Sequence, residues 1–267
     1  MKLLFIFIIS FKFSLCFSQT YSLNDFEACA IPKSGDKDWF IFNKATDKEF
    51  IFSLTLGKLE ISKNKYNPYI QYNLPNGKLI GVNMGEFGGG LYYKPADSTK
   101  DIFINGKHAK DIQPRWSDGL EVPINNPIHK TLKNASLFLS GNVQFIFSFN
   151  DSIYIMGGLA HMGLNFGSIV SLSYKQDSFY ISKSVTLDEA PCAMAIDKDV
   201  IYLATDKGFY TLNKTLKKKI IFTDLFWQGL YPSSVVVLDE KNVLVTVRGG
   251  YVKINPQEKT MAFFKAK

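Results

Sequence analysis

The sequence predicts an all-β protein assembled from repeated four-stranded units. One observation is composition. Of 267 residues, 15% are aromatic, with 23 Phe and 13 Tyr, beside frequent Ile and Val, and these residues fit the half-buried surface of a pleated sheet. A hydrophobic fraction of 46% is enough for a real core and far from a disordered composition. The other observation is internal repetition. Residues 197–213, DKDVIYLATDKGFYTLN, fall without a gap on residues 239–255, DEKNVLVTVRGGYVKIN, an offset of 42. Asp197 meets Asp239, Gly208 meets Gly250 and Asn213 meets Asn255, while Ile201, Tyr202, Phe209 and Leu212 meet Val243, Leu244, Tyr251 and Ile254.

Taken in chain order, residues 1–18 read as a secretory signal peptide. Lys2 precedes an apolar stretch that ends near Ser18, with Cys16 and Ser18 at the −3 and −1 positions of a cleavage before Gln19. The apolar run is too short to span a bilayer and is broken by Lys12, so a membrane anchor is the weaker reading, and no later segment is apolar for long enough to cross. The expected mature chain is exported, without a transmembrane anchor. The aromatic runs WFIFN (39–43) and FIFSL (50–54) are expected to open a first unit. GKLIGVN, GEFGGGLYY and DIFIN suggest another within residues 77–105. Residues 106–142, with Pro114, Pro123 and Pro127, alternate little before SLFLS and read as a degenerate unit or an insertion.

The next three units are clearer. QFIFSF, SIYIM, SIVSLSY and SFYISKSV (144–185) give a four-strand rhythm with GGLAHMGLNFG inserted between the second and third strands. The register of the opening repeat extends outward, placing residues 193–196 on 235–238 and 220–222 on 262–264. The last unit is SVVVL, NVLVTV, GYVKI and TMAFF. Four short strands in about 42 residues is the period of a β-propeller blade, which cannot bury both faces alone and must pack between neighbours. Residues 19–267 are therefore expected to form one propeller of five or six four-stranded blades. A β-sandwich, which also has short strands and regular turns, is the alternative.

These units resemble those of diverged exported β-propeller proteins that lack a WD dipeptide, most clearly from residue 144 to the end. The resemblance implies little about activity, since the architecture serves binding scaffolds and enzymes alike. It does imply that the loops between second and third strands share a face with the blade-to-blade connections, and that such proteins bind there. On that face lie Glu86 in MGEFGGG, His161 in the inserted segment, Asp206, Arg248, and Trp227 and Tyr231 in FWQGLYP. Aromatic plates beside hydrogen-bonding side chains suit a sugar or a peptide. Each also has a structural reading: turn glycines around Glu86, a loop histidine, an interface tryptophan and tyrosine, and an arginine paired with a neighbouring carboxylate. The turns at 197–199 and 239–241 fall on the opposite face as plain hairpin turns.

Catalytic and cofactor signatures are absent from the sequence. There is no G-x-S-x-G, no H-E-x-x-H and no phosphate loop, and Cys29, Cys192, His108, His129 and His161 lack zinc-site spacing. No cofactor is expected. Cys29 and Cys192 are either a disulfide closing a long loop or two buried thiols. Removing Lys2 and Lys12 with the leader lowers the formal charge from +7 to +5. The charges are scattered, with Lys217, Lys218 and Lys219 guarding a strand entrance, so no nucleic-acid patch is read. The sequons at Asn134, Asn150 and Asn213 would matter only in a eukaryotic secretory route. Two functions compete. The first is a binding module for a protein, peptide or glycan with no chemistry of its own. The alternative is a propeller-type hydrolase or lyase using Glu86 or Asp206 as acid/base, with His161 and Arg248 stabilising charge and a divalent metal in the channel.

Overall fold

The computed structural model describes residues 21–97, 99, 103–104, 107–108, 132, 135–175 and 178–267. The leader read over residues 1–18 and most of the segment 106–142, His129 and Asn134 among it, lie outside the described residues. Among the described residues strands dominate, and they form five sheets. In chain order the elements begin with β1 (Phe26–Cys29) and α1 (Lys37–Lys44), followed by the hairpin β2 (Phe50–Thr55) and β3 (Lys58–Lys63), which forms sheet I. Sheet II contains β4 (Tyr69–Leu74), β5 (Gly77–Asn83) and β6 (Gly89–Pro95). The short pair β7 (Phe103–Ile104) and β8 (Lys107–His108) comes next, and β9 (Ser136–Ser140) then returns to sheet II beside β6. Sheet III is β10 (Val143–Phe149), β11 (Ser152–His161), β12 (Leu164–Lys175) and β13 (Ser178–Leu187), with β7 added parallel to β13. Sheet IV is β14 (Pro191–Asp197), β15 (Val200–Thr205), β16 (Phe209–Leu212) and β17 (Lys218–Phe222). Sheet V is β18 (Ser234–Asp239), β19 (Asn242–Val247), β20 (Gly250–Asn255) and β21 (Thr260–Ala266), and β1 pairs antiparallel with β21 as its fifth strand.

β15 and β19 start and end 42 residues apart, and the other strands of sheets IV and V correspond at that offset to within two residues, as expected where similar apolar alternation and turn residues select similar hairpins. Tight turns also have a visible cause. Leu56–Gly57, Asn150–Asp151 and Met162–Gly163 all carry positive φ at both positions, the twist that joins two antiparallel strands without splaying them.

Successive sheets pack on one another. β10 lies against β4 and β5, β11 against β14, β14 against β18, and β18 and β19 against β2. Each of these interfaces has its own core. Leu79, Leu91, Ile155 and Phe179 fill the space between sheets II and III. Met156, Ile169, Ile201, Leu203 and Leu212 fill that between III and IV. Tyr202, Ala204 and Phe209 pack with Val243, Val245 and Val252 between IV and V, and Phe50, Phe52, Leu244 and Tyr251 between V and I. Neighbouring residues of a strand point to opposite faces, yet Ile201, Tyr202, Leu203 and Ala204 are all buried. Sheet IV is therefore covered on both sides. The contact of V with I is also stitched by hydroxyls. Phe52 N donates to Ser234 Oγ (2.8 Å), and Ser233 Oγ donates to the Phe50 carbonyl (2.8 Å).

Several expectations change. WFIFN is not a strand: residues 39–43 lie inside α1, whose N-cap Asp36 accepts from Trp39 N at 2.7 Å. The segment GGLAHMGLNFG is not a loop but the continuation of β11 and β12, paired down to His161 with Leu164. Phe103 and Ile104 join sheet III rather than sheet II. Among the described residues, no helix is long and apolar enough to cross a membrane.

Candidate functional site

The residues singled out in the sequence lie on the hairpin tips and inter-sheet connections of successive sheets, a belt built sheet by sheet. At sheet II, the turn after β5 is held by Asn142, whose Nδ2 donates to the Gly85 carbonyl (2.7 Å) and whose Oδ1 accepts from Met84 N (3.3 Å). This positions Glu86 so that its Oε2 lies 2.6 Å from Nε2 of His161, at the tip of the β11–β12 hairpin. Glu86 and His161 therefore come together as a pair bridging sheets II and III.

The same hairpin is held on its other face. His161 pairs with Leu164 and Ala160 with Asn165, so His161 and Asn165 point to opposite sides of the ribbon. Asn165 Oδ1 accepts from Ala190 N (2.7 Å), and its Nδ2 donates to Oδ2 of Asp206 (3.2 Å). The chain can pass this close because Gly158 and Gly167 lie under it. A Cβ on Gly167 would sit 2.7 Å from the Glu189 carbonyl oxygen, and one on Gly158 would sit 3.0 Å from Cδ of Pro191. These glycines serve close approach rather than a flexible loop.

Sheet IV adds a hydrogen-bonded knot around Glu189, which the sequence places in the connection 188–191 on the candidate face without naming its partners. Glu189 Oε1 accepts from the Tyr210 hydroxyl (2.6 Å), and Oε2 accepts from Thr205 Oγ1 and from Lys207 N (3.0 Å). Burial, reinforced by Glu189, pushes the Tyr210 phenol up. Burial also holds the Asp206 carboxyl above its usual range; Lys207 pulls it back while Glu189 adds to the rise. Glu189 carried the clearest signal available in the sequence, an acid one residue before Ala190-Pro191 in an inter-sheet connection. Tyr210 and Thr205, which complete the knot, are strand residues without such a mark.

At sheet V, Arg248 occupies the repeat position of Asp206. Each backbone N–H donates to the connection entering its own sheet, Asp206 N to the Ala190 carbonyl (3.1 Å) and Arg248 N to the Leu230 carbonyl (2.7 Å). Their side chains then diverge. Arg248 Nε and Nη2 both reach Oε1 of Glu49 (2.7 and 2.6 Å), Nη1 donates to the Asn43 carbonyl (2.7 Å), and the guanidinium lies 4.4 Å from the ring centre of Tyr231. α1 caps this region. Trp39 Nε1 donates to the Phe226 carbonyl (2.8 Å), and Asn43 Nδ2 donates to the Gly229 carbonyl (2.7 Å).

Trp227 is fully buried in the core between sheets IV and V, with Nε1 donating to the Thr205 carbonyl (3.2 Å). As a ligand-facing ring it is a correction: it fastens the 223–233 connection to sheet IV. Tyr231, in contrast, is 58% exposed. The hairpin tip also offers apolar surface, with Met162 91%, Leu164 57% and Phe166 51% exposed. Glu86 with His161, Asp206 with Asn165, and Arg248 with Glu49 are three separate groupings rather than one constellation. Cys29 and Cys192 are both free, on β1 of sheet V and β14 of sheet IV, so the disulfide weighed from the sequence is not formed. Burial pushes both thiols up. Among the described residues, no three His, Cys, Asp or Glu side chains are grouped to hold a metal ion. The turns at the other end carry surface ion pairs, Lys214 with Asp199 (2.8 Å) and Lys198 with Glu240 (3.5 Å).

Comparison with known protein families finds no matching family, and comparison with curated proteins finds no match.

Proposed function

We propose that the chain is an exported propeller-type binding module that recognises a protein, peptide or glycan through the belt of hairpin tips and inter-sheet connections, with no catalysis of its own. The propeller reading draws support from the serial packing of the sheets, from the burial of sheet IV on both faces, and from β1 joining the last sheet, which ties the two ends of the chain together. Export rests on the leader pattern in residues 1–18. The observation that carries the function is the distribution of the polar side chains along the belt. Glu86, Asp206 and Arg248 each answer a neighbouring side chain that fixes a loop, whereas Tyr231, Phe166 and Leu164 project outward. A rigid polar frame with exposed aromatic and aliphatic side chains is a recognition surface. Tyr231 is the best-prepared element, its ring backed by the Arg248 guanidinium.

The alternative, a hydrolase or lyase, is favoured by one observation: Asp206 is half-buried with its carboxyl raised, as a general acid requires. One experiment separates the readings. The purified chain is applied to glycan and peptide arrays, and any captured ligand is titrated against the parent, Tyr231→Ala, Phe166→Ala and Asp206→Asn, with the products analysed by mass spectrometry. Binding predicts an intact ligand and about tenfold weaker affinity for at least one aromatic variant, roughly the 1.4 kcal/mol expected of a well-seated contact. Conversion of the ligand by the parent, lost in Asp206→Asn, would overturn it.

A further inference from the structure

We propose that the outer edge of β3 is a docking site for a β-strand donated by a different protein, an extended segment with apolar residues at alternate positions. The proposal makes no use of the belt residues and stands or falls separately from the binding reading above. Sheets II to V each hold four or more strands, but sheet I is the hairpin β2–β3 alone among the described residues. A two-stranded ribbon is marginal by itself. Its β2 edge is secured, since the Phe50 carbonyl and Phe52 N turn away from β3 to meet Ser233 and Ser234. Residues opposite one another in an antiparallel pair share the same orientation, either both facing the partner or both facing away. Phe50 is opposite Lys63, Phe52 opposite Ile61 and Leu54 opposite Leu59. The N–H and C=O groups of Leu59, Ile61 and Lys63 therefore point outward along the free edge.

Exposed edges are usually guarded by charged side chains. Here two of those charges are drawn back into the sheet. Lys63 donates to the Asp47 carbonyl and lies 4.4 Å from the ring centre of Phe50, while Glu60 Oε2 accepts from Thr55 Oγ1 (2.9 Å). Ile61 is buried in the core shared with sheet V, and Leu59 packs against it. A strand laid on this edge would thus complete six backbone hydrogen-bonding groups and extend an existing apolar face. That requirement selects an extended peptide with apolar residues at alternate positions, since main-chain pairing supplies affinity and the alternate side chains supply selectivity. The chain itself provides the template: in sheet V the strand on the equivalent edge of β19 is β20.

The test is amide hydrogen exchange on the full chain, alone and with a synthetic peptide of residues 248–257, which carries β20. Alone, the Leu59, Ile61 and Lys63 amides should exchange much faster than those of Glu60 and Ser62, which face β2. Peptide at about ten times its dissociation constant should slow the three edge amides about tenfold and leave the other two unchanged. Leu59→Pro, which removes one outward donor without touching a β2–β3 bond, should abolish the slowing. Edge amides already protected in the isolated chain would overturn the proposal, because the edge would then be covered by the chain's own residues or by a second copy. Fast exchange that millimolar peptide leaves unchanged would overturn it equally, and both outcomes are read on the unsubstituted protein.

Discussion

Replacing Glu49 by Gln keeps the shape of the side chain but removes the charge that Arg248 faces from sheet V. The pair is largely enclosed, with 17% of the Arg248 side chain and 25% of the Glu49 side chain exposed, and two guanidinium nitrogens converge on one carboxylate oxygen. Hydrogen bonds to charged groups contribute about 1.5–3 kcal/mol. Breaking a fully buried pair costs about 3–5 kcal/mol. The residual exposure and the retained Nη1 bond to Asn43 place Glu49→Gln at the lower end, near 2 kcal/mol by the same scale. At about 2–4 °C per kcal/mol for a chain of this size, melting should fall by about 4–8 °C. In urea the midpoint should drop with no change in slope. Arg248→Met should cost at least as much, and the double variant should recover a coupling of about 1–3 kcal/mol. A Glu49→Gln variant that melts within about 1 °C of the parent would show that Arg248 is not a fastener between sheets I and V and is free for ligand.

Asp206→Asn tests the raised carboxyl. Folding favours the protonated acid, so its penalty is absent below the ordinary carboxylate range and grows as pH rises through the raised value. The variant should gain stability on the parent as pH climbs from about 4 to 7, and a difference that is flat or opposite in sign would remove burial as the cause. Gly167→Ala should cost about 2–3 kcal/mol through collision with Glu189 and Pro191. Gly163→Ala, with φ +85° but open space around it, should cost about 1 kcal/mol; equal penalties in denaturant titrations would sink the close-packing account. For the chain lacking residues 1–18, intact mass under non-reducing conditions should correspond to two free thiols, Cys29 and Cys192. Iodoacetamide should label Cys192 slowly in the native chain near neutral pH, because partial burial keeps its thiol protonated, and labelling as fast as that of an unfolded thiol would contradict the raised thiol.

Sheets IV and V were legible because their strands are short, turn-bounded and buried on both faces, which leaves a dense apolar pattern in both copies. The register that joined Ile201 to Val243 and Leu212 to Ile254 is the register of the ladders. α1 was not legible, because Trp39, Phe40, Ile41 and Phe42 favour strands by propensity. Its formation depends on the Asp36 cap and on long-range partners, including Phe226 and the ring of Phe263, 5.0 Å from that of Phe42. The extension of β11 and β12 looks like a loop in the sequence because its glycines resemble turn residues; Gly163 is one, whereas Gly158 and Gly167 make room for a connection more than 20 residues downstream, at residues 189–191. At the belt, residue types were found more readily than roles. Arg248 meets a carboxylate 199 residues away, and nothing local distinguishes the buried Trp227 from the exposed Tyr231.

Serial stacking is the claim on which the propeller reading and the belt both depend, and an aspartate scan of β15 tests it most directly. In a two-layer sandwich a strand buries alternate residues, so substitutions would alternate between harmful and tolerated. If sheet IV is enclosed between III and V, Ile201→Asp, Tyr202→Asp, Leu203→Asp and Ala204→Asp should each lower the urea midpoint or abolish soluble protein, at a cost of several kcal/mol per buried charge. Melting close to the parent for Tyr202→Asp and Ala204→Asp, with collapse confined to Ile201→Asp and Leu203→Asp, would contradict it.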